Sequence, residues 1–460
     1  NSLNGIYIFY IAQTIFLQNL YRNNQPICYN LSTNQNFAKG LIVIYRQQVL
    51  DCIDFFTAQP VQKFYQDLFN HLDLSSIPQF PSHGRKGFSS HALIRAFIVM
   101  KVEHFQWITQ LLEYLSNNLI IACYCGFSPD HSLPSYSVFE RFIAHFPHDS
   151  LDALMASQVR CLAVRNVISS NFVGIDSMPL FANTKLNNPN AFHKPSDSKL
   201  PAADKDCRRG AHAASNMPKD KKVYFYFGYK EHVALDCSSG LPIASITTPA
   251  NVADSSEALP LLHKAHTVLP LYGGNFLADK GYDTKAIYNS VRDVFAMTPF
   301  IPLNSRNTKK TLFSNGRLLC PAGLMMNKAG TSKDCGRVRQ RFYCPLRCSK
   351  DQDCPCQNPN FSKEKKRGCE QWVTLPSDFR LSIDRRSHAF KKVYKKRTCC
   401  ERYNSRFKAA GNARLWVRSL AAVSNMNTLT HITLLAVAWA AVLTNRQSEM
   451  NCLKKLKCSA

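Results

Sequence analysis

Three carboxylates, far apart in the chain, stand in surroundings that suit metal-assisted phosphoryl chemistry. Asp176 closes the apolar run "NFVGID", Asp279 closes "GGNFLAD", and Glu401 is the single acid of the basic stretch "YKKRTCCERYNSRFK". Cleaving a phosphodiester at neutral pH needs a deprotonated attacking oxygen and a stabilised leaving oxygen. Two divalent cations about 3.5 to 4 Å apart do both, and carboxylates are the ligands that hold Mg²⁺ or Mn²⁺. Such a site asks for acids at the C-terminal ends of neighbouring strands and one more on a packed helix. Taken singly, each acid has a plainer reading. Aspartate also starts turns, and an acid within a charge run usually lies on a solvated helix face.

The elements around these acids fit the demand. Residues 46–160 read as helical, with Ser89 or Ser90 capping "HALIRAFIVMKVEHFQWITQLLEYLSNN", a Gly-Phe-Ser-Pro turn at 126–129, and a short helix "SYSVFERFIAHF". "NFVGID" reads as a short buried strand, followed by a polar, lysine-rich loop over about 183–222. "VYFYFGYKEHVAL" and "LPIASITT" flank "DCSSG" as a hairpin. "SSEALPLLHKAHTVL" reads as a helix capped by Asp254 or Ser255, "GGNFLAD" as a strand broken at Gly281, and "VFAMTPFIPLN" as another strand. Strands alternating with helices imply a mixed α/β sheet. The segment from about 305 to 385 is basic and cysteine-rich and shows no regular period. The apolar stretch near the C-terminus carries Asn425, Asn427, Thr428, Thr430 and His431, which favours a buried helix over a membrane span. On a helix with about 100° per residue, Tyr394, Arg397, Glu401, Ser405 and Lys408 share one narrow face. Lys395, Lys396, Arg402 and their basic neighbours point more broadly outward, as phosphate contacts would.

Charge names the partner class. Against 31 Asp and Glu stand 57 Lys and Arg, a net charge of +26. A polyanion such as DNA or RNA would offset that self-repulsion; an anionic membrane is the weaker option, because the basic residues are spread along the whole chain. The 18 cysteines do not make a secreted disulfide scaffold, which is normally short. The stretch "GIYIFYIAQTIFL" lacks the basic flank and cleavage site of a signal peptide and is short for a membrane span. The first residue, Asn1, suggests a fragment or a reading extended upstream, so residues 1–45 are treated as an uncertain N-terminal extension.

Tyr394, Arg397, Glu401 and Lys408 match the Y-x2-R-x3-E-x6-K signature, and on it the chain resembles the bacterial insertion-sequence transposases of the DDE class. "VGIDSMPLFA" resembles their first-aspartate block, "GYKEHVALDCSSGLPIASITTPANVADS" the hairpin after it, "LADKGYDT" the second-aspartate block and "FIPLNSR" the next strand. "HGRKGFSSHALIRAFIVMK" and "GFSPDHSLPSYSVFERF" resemble their helical N-terminal domain. The resemblance implies a ribonuclease-H-like α/β catalytic core, with a large insertion before the last catalytic helix, preceded by a helical N-terminal domain. It implies that Asp176, Asp279 and Glu401 are catalytic and hold two Mg²⁺ or Mn²⁺ ions. Tyr394, Arg397, Lys408, Lys395, Lys396 and Arg402 would face DNA. The partners implied are double-stranded DNA, as terminal inverted repeats and target, and a second copy of the chain in the active complex, in the bacterial cytoplasm and without a membrane.

The expected organisation is a helical, DNA-binding module over 46–160, core segments at 171–304 and 386–445, an insertion at 305–385 and a basic tail at 446–460. The insertion carries Cys320, Cys344, Cys348, Cys354 and Cys356, candidate ligands of a structural Zn²⁺, though their spacing is not paired C-x2-C. His232 reads as a structural or surface histidine, with approach to the metals as the alternative. Asp283 reads as a turn or helix cap, Asp204 and Asp206 as loop residues rather than ligands, and Trp107, Trp416 and Trp439 as core. A catalytically decayed or domesticated DNA-binding protein derived from a transposase is the alternative function.

Overall fold

The computed structural model describes residues 59–80, 87–187, 200–213, 223–304, 313–314, 317–334, 337–347, 369–375 and 379–458. The chain divides into two units. One comprises residues 1–158, 410–412 and 425–460; the other comprises 159–409 and 413–424.

The first unit begins with helices α1 (Pro60–Asn70), α2 (Ser90–Val102), α3 (Ile108–Asn117), α4 (Leu119–Cys125) and α5 (Tyr136–His145), and α6 (His148–Val164) follows. α2 is apolar on all sides and buried from Ala96 to Val102, so it forms the centre around which the others pack. The single helix expected over 90–117 is broken. His104 adopts a left-handed φ of 59°, and the Phe105 amide closes back on the Met100 carbonyl. Glu103 at this break holds the turn by accepting hydrogen bonds from Tyr65 and Tyr114. Trp107, expected in the core, sits just past the break and is 42% exposed.

The second unit is built on a sheet of β1 (Phe172–Phe181), β2 (Arg208–Ala213), β3 (Val223–Asp236), β4 (Leu241–Pro249), β5 (Asn275–Leu277) and β6 (Thr298–Phe300), with α7 (Asp254–Val268) and α8 (Lys285–Asp293) between strands. β3 pairs antiparallel with β1, β2 and β4; β1, β5 and β6 run parallel. The expected β3–β4 hairpin is present. β1 is longer than expected and runs on past Asp176 to Phe181. β2 lies within the stretch read as loop, and α8 is an additional crossover helix. α7 is capped at Ala253, with Asp254 already in its first turn and paired with Lys230 at 2.8 Å. Asp204 accepts from the Tyr229 hydroxyl and Asp206 from the Leu420 amide, so both acids serve the scaffold.

Strand contact is tightest at Gly228, opposite both Phe181 and Arg208. A Cβ there would lie 2.0 Å from the Leu180 carbonyl oxygen, so backbone must give way. Gly228→Ala is expected to lower the urea midpoint, with a stability loss of about 2 kcal/mol or more.

The cysteine-rich segment is not without order. Its described residues form β7 (Phe313–Ser314) and β8 (Arg317–Leu318), and an antiparallel sheet of β9 (Asn327–Asp334), β10 (Arg337–Tyr343) and β11 (Glu370–Leu375). Leu318, Cys320, Met326, Phe342, Cys344 and Cys369 make its small core. Arg341 and Arg347 both pair with Glu370 on the surface. Cross-strand pairs of this kind steady a sheet whose sequence lacks apolar alternation.

After the insertion come α9 (His388–Tyr394) and α10 (Thr398–Phe407), joined by a tighter 3₁₀ turn, Lys395–Arg397. Ser387 caps α9 by accepting from the Phe390 amide. α11 (Leu420–Leu443) is long and apolar enough to cross a membrane, yet 78% of its most apolar window is buried within the protein. Its polar residues are bonded inside the first unit. Asn425 donates to the Ile143 and Phe146 carbonyls, and Thr430 accepts from Asn412. Trp416 is buried as expected, and Trp439 is half-buried. α12 (Leu453–Cys458) is the last of the described elements, and its Lys457 pairs with Glu103 at 2.6 Å.

Candidate active site

Parallel pairing of β1 with β5 decides where the two aspartates stand. Gly174 is the partner of Leu277, the last residue of β5, and Asp176 and Asp279 each follow two positions later. Asp176, still within β1, and Asp279, just past the end of β5, therefore stand at the same level of two neighbouring parallel strands, near the C-terminal end of β5, where open α/β sheets place their sites. Asp279 is also fixed locally, because its carboxylate accepts from the Gly281 amide at 2.7 Å and starts the turn Lys280–Tyr282.

Glu401 lies in the first turn of α10, with its side chain 66% exposed. Arg397 links it to the sheet. One guanidinium nitrogen is 3.1 Å from Glu401 Oε1 and the other is 3.5 Å from Asp176 Oδ1. The basic stretch thus does not act wholly outward, since Arg397 is only 16% exposed and lies between two acids. Asn404, one turn after Glu401, donates from Nδ2 to Asp176 Oδ2 at 3.0 Å. Sequence reading passed over Asn404; its i,i+3 spacing from Glu401 was the available signal.

Burial pushes the Asp176 carboxyl up to about 6; Arg397 pulls it down, and the charge of Asp279 pushes it up again. Burial, with the charges of Asp254, Asp176 and Asp279, likewise raises the Tyr282 phenol, which is bonded to Ser177. Two carboxylates this close, one of them partly withdrawn from water, favour a bound cation. Arg397 already supplies one positive charge between Asp176 and Glu401. The donor atoms are all hard carboxylate oxygens, so the set fits Mg²⁺ or Mn²⁺.

The remaining candidates are placed as follows. Tyr394 is half-buried and stacks on Phe390, with ring centroids 5.7 Å apart. Lys395 and Arg402 are exposed. Lys396 is exposed and holds its ammonium 4.4 Å from the centre of the Phe172 ring. Lys408 is half-buried beyond the end of α10. His232 is buried and shares a hydrogen bond with Thr248 at 2.9 Å, a structural place; burial lowers its pKa. Asp283 closes the turn Lys280–Tyr282, as a turn or cap residue would, while Thr284 caps α8. Its buried carboxylate also accepts from the Asn304 amide at 2.7 Å and faces Arg380 at 3.6 Å. Of the zinc candidates, Cys320 and Cys344 lie in the apolar core of the insertion, while Cys348, Cys354 and Cys356 fall outside the described residues.

The family described as "Transposase DDE domain" matches residues 196–436, just over half of the chain. A second family, "Transposase domain (DUF772)", matches residues 53–145. The chain belongs to the DDE transposases, a family of metal-dependent enzymes that cut and rejoin DNA. The longer match contains Asp279 and Glu401 and begins after Asp176. No curated protein matches the chain significantly. Among solved structures it is similar to the piggyBac transposase in a synaptic complex with hairpin DNA, determined by cryo-electron microscopy. The identity is 10% and the TM-score 0.36, with 89% of this chain and 79% of that one covered. That likeness is too slight to carry fold or mechanism.

Proposed function

We propose that this transposase binds the terminal inverted repeats of an insertion sequence, cleaves there, and joins the freed 3′-hydroxyl to target DNA. The observation that carries the reading is the register of β1 against β5, which sets Asp176 beside Asp279, with Glu401 tied to Asp176 through Arg397. The spacing of Tyr394, Arg397, Glu401 and Lys408 supports the Y-x2-R-x3-E-x6-K branch. The strand order β4-β3-β1-β5-β6, three antiparallel strands followed by two parallel to the first, supports a ribonuclease-H-like core.

Asp176, Asp279 and Glu401 would hold a pair of divalent cations, which when bound supply an activated water and stabilise the charge developing on phosphorus. Asn404 orients Asp176, and the Gly281 amide orients Asp279, so two ligands are fixed before metal arrives. Arg397 holds Asp176 and Glu401 near one another, and it would pair with a DNA phosphate where cations take over those two acids. Lys395, Lys396, Arg402 and Lys408 position the backbone, and Tyr394 presents a ring edge beside them. The segment 46–160, whose described part is helical, serves as a further DNA-binding module, and two copies engage the two ends in the bacterial cytoplasm.

The test uses the purified chain and a duplex carrying the end sequences that flank its own reading frame. Nicks bearing 3′-hydroxyls are expected at the element ends with Mg²⁺ or Mn²⁺, and none with EDTA. Binding without cleavage in either metal would overturn the enzymatic reading in favour of a decayed DNA-binding protein.

A further inference from the structure

Directly behind the candidate active site, three buried thiols converge: Cys237, just past β3, and Cys399 and Cys400, in the first turn of α10. Their sulfurs all lie within 4.8 Å of one another, with Cys399 and Cys400 4.0 Å apart. The Cys237 amide donates to the Phe172 carbonyl at 2.7 Å, which fixes that residue on β1. The chain leaves room for the sulfurs at Gly174, where a Cβ would be 2.5 Å from Cys237 Sγ and 2.8 Å from Cys400 Sγ.

We propose that Cys237, Cys399 and Cys400 form a three-thiolate site for a thiophilic closed-shell cation, zinc or cuprous copper. At a metal–sulfur distance of about 2.3 Å, a planar three-coordinate site has sulfurs about 4.0 Å apart. The cluster needs little movement to reach that spacing. Soft thiolates select these ions over Mg²⁺, so the site does not compete with the carboxylates. The nearby carboxylate of Asp236 is already committed to Ser169, Ser238 and Ser239, which leaves the three sulfurs as the donor set among the described residues.

On binding, each S–H bond breaks heterolytically: the sulfur keeps the electron pair for the metal and the proton goes to solvent, with no change of oxidation state. A vicinal Cys399–Cys400 disulfide is the poorer use of the cluster. Adjacent Cα atoms lie about 3.8 Å apart, below the usual lower limit of about 4.4 Å for a bridged pair. Occupancy would pin the turn after β3 to α10, and through the Cys237–Phe172 hydrogen bond the start of β1 as well; β1 and α10 carry Asp176 and Glu401. The proposal stands independently of the catalytic assignment, because it concerns metal uptake alone.

The reduced, metal-free full chain is titrated with Cd²⁺, as the probe for zinc, and separately with Cu⁺ held by a competing chelator, while sulfur-to-metal charge-transfer absorption is followed. Cys237→Ala and Cys400→Ala are each expected to take up one equivalent less than wild type. The double variant should lose no more than either single one, and the titrant that shows the loss identifies the ion. Far-UV circular dichroism verifies folding, and if Cys400→Ala does not fold, Cys237→Ser gives the same readout. Equal uptake by wild type and variants overturns the proposal. So does mass mapping that finds Cys237 disulfide-bonded in the isolated chain, with no added uptake after reduction.

Discussion

Asp279→Asn is expected to abolish metal-dependent cleavage of element-end DNA, with a fall of about a thousandfold or more in the single-turnover rate. The size follows from the several kcal/mol that a correctly held metal ion contributes to a phosphoryl transition state. An amide removes a charged ligand but is nearly isosteric, and its oxygen can still accept from the Gly281 amide as the carboxylate does. The turn Lys280–Tyr282 and the register of β5 should therefore survive, which separates chemistry from folding. Asp176→Asn should lose activity to a similar extent. Asp176 spends part of its interaction on Arg397, and burial already raises its pKa to about 6, so the apo fold should tolerate a neutral group there. DNA binding, read by gel shift, should persist in both variants, because Lys395, Lys396, Arg402 and Lys408 are untouched. Cleavage within tenfold of wild type in either variant would remove that aspartate from the ligand set.

Much of the scaffold for this site was legible, and the reasons differ by element. The β3–β4 hairpin announces itself by two apolar strands about a short polar turn, and Asp279 by an apolar run that ends in an acid. The same logic marks Asp176 as a candidate, although β1 runs on beyond it. What marks the position is the end of β5, the neighbouring strand, and a partner's end is not written in local sequence. β2, "RRGAHA", has no apolar alternation and is held by backbone pairing with β3, so it reads as loop. α8 is a helix of nine residues whose buried Ile287, Tyr288 and Val291 do share one face, a signal short enough to be passed over. The break at His104 arises from one left-handed residue inside an otherwise helical pattern. Within the site, the i,i+4 spacing of Arg397 and Glu401 was visible, but the reach of Arg397 to Asp176 is tertiary. Asn404 was missed for the same reason, since its partner lies on another element. The three-thiol cluster joins a hairpin turn to a helix far later in the chain, a contact no spacing rule anticipates.

Lys101→Met is expected to stabilise the protein by about 3 kcal/mol at pH 6, an effect that shrinks and then reverses as pH rises. Lys101 is fully buried near the end of α2, where burial lowers its pKa to about 7. Its amine donates to Asn412 Oδ1 at 2.5 Å, and Asn412 in turn donates to Thr430. In the unfolded chain the same amine titrates near about 10.4. Below about pH 7 both states bind the proton, and the folded state bears the whole cost of a buried charge. That cost is on the order of 5 kcal/mol, since each pH unit separating the two titrations is worth about 1.4 kcal/mol. Between about 7 and 10.4 only the unfolded state holds the proton, so wild-type stability climbs with pH through that window. Methionine removes the charge and keeps the volume, but leaves Asn412 Oδ1 without this donor, at about 1 to 3 kcal/mol. The difference is the net gain at pH 6. Above about pH 10.4 the charge contribution vanishes in both states, and only the lost hydrogen bond remains, so the variant becomes the less stable protein. Urea midpoints for wild type and variant at pH 6, 8 and 10.5 measure the crossover. A gain that does not change with pH would mean that Lys101 stays charged in the fold, its proton held by more than Asn412 alone.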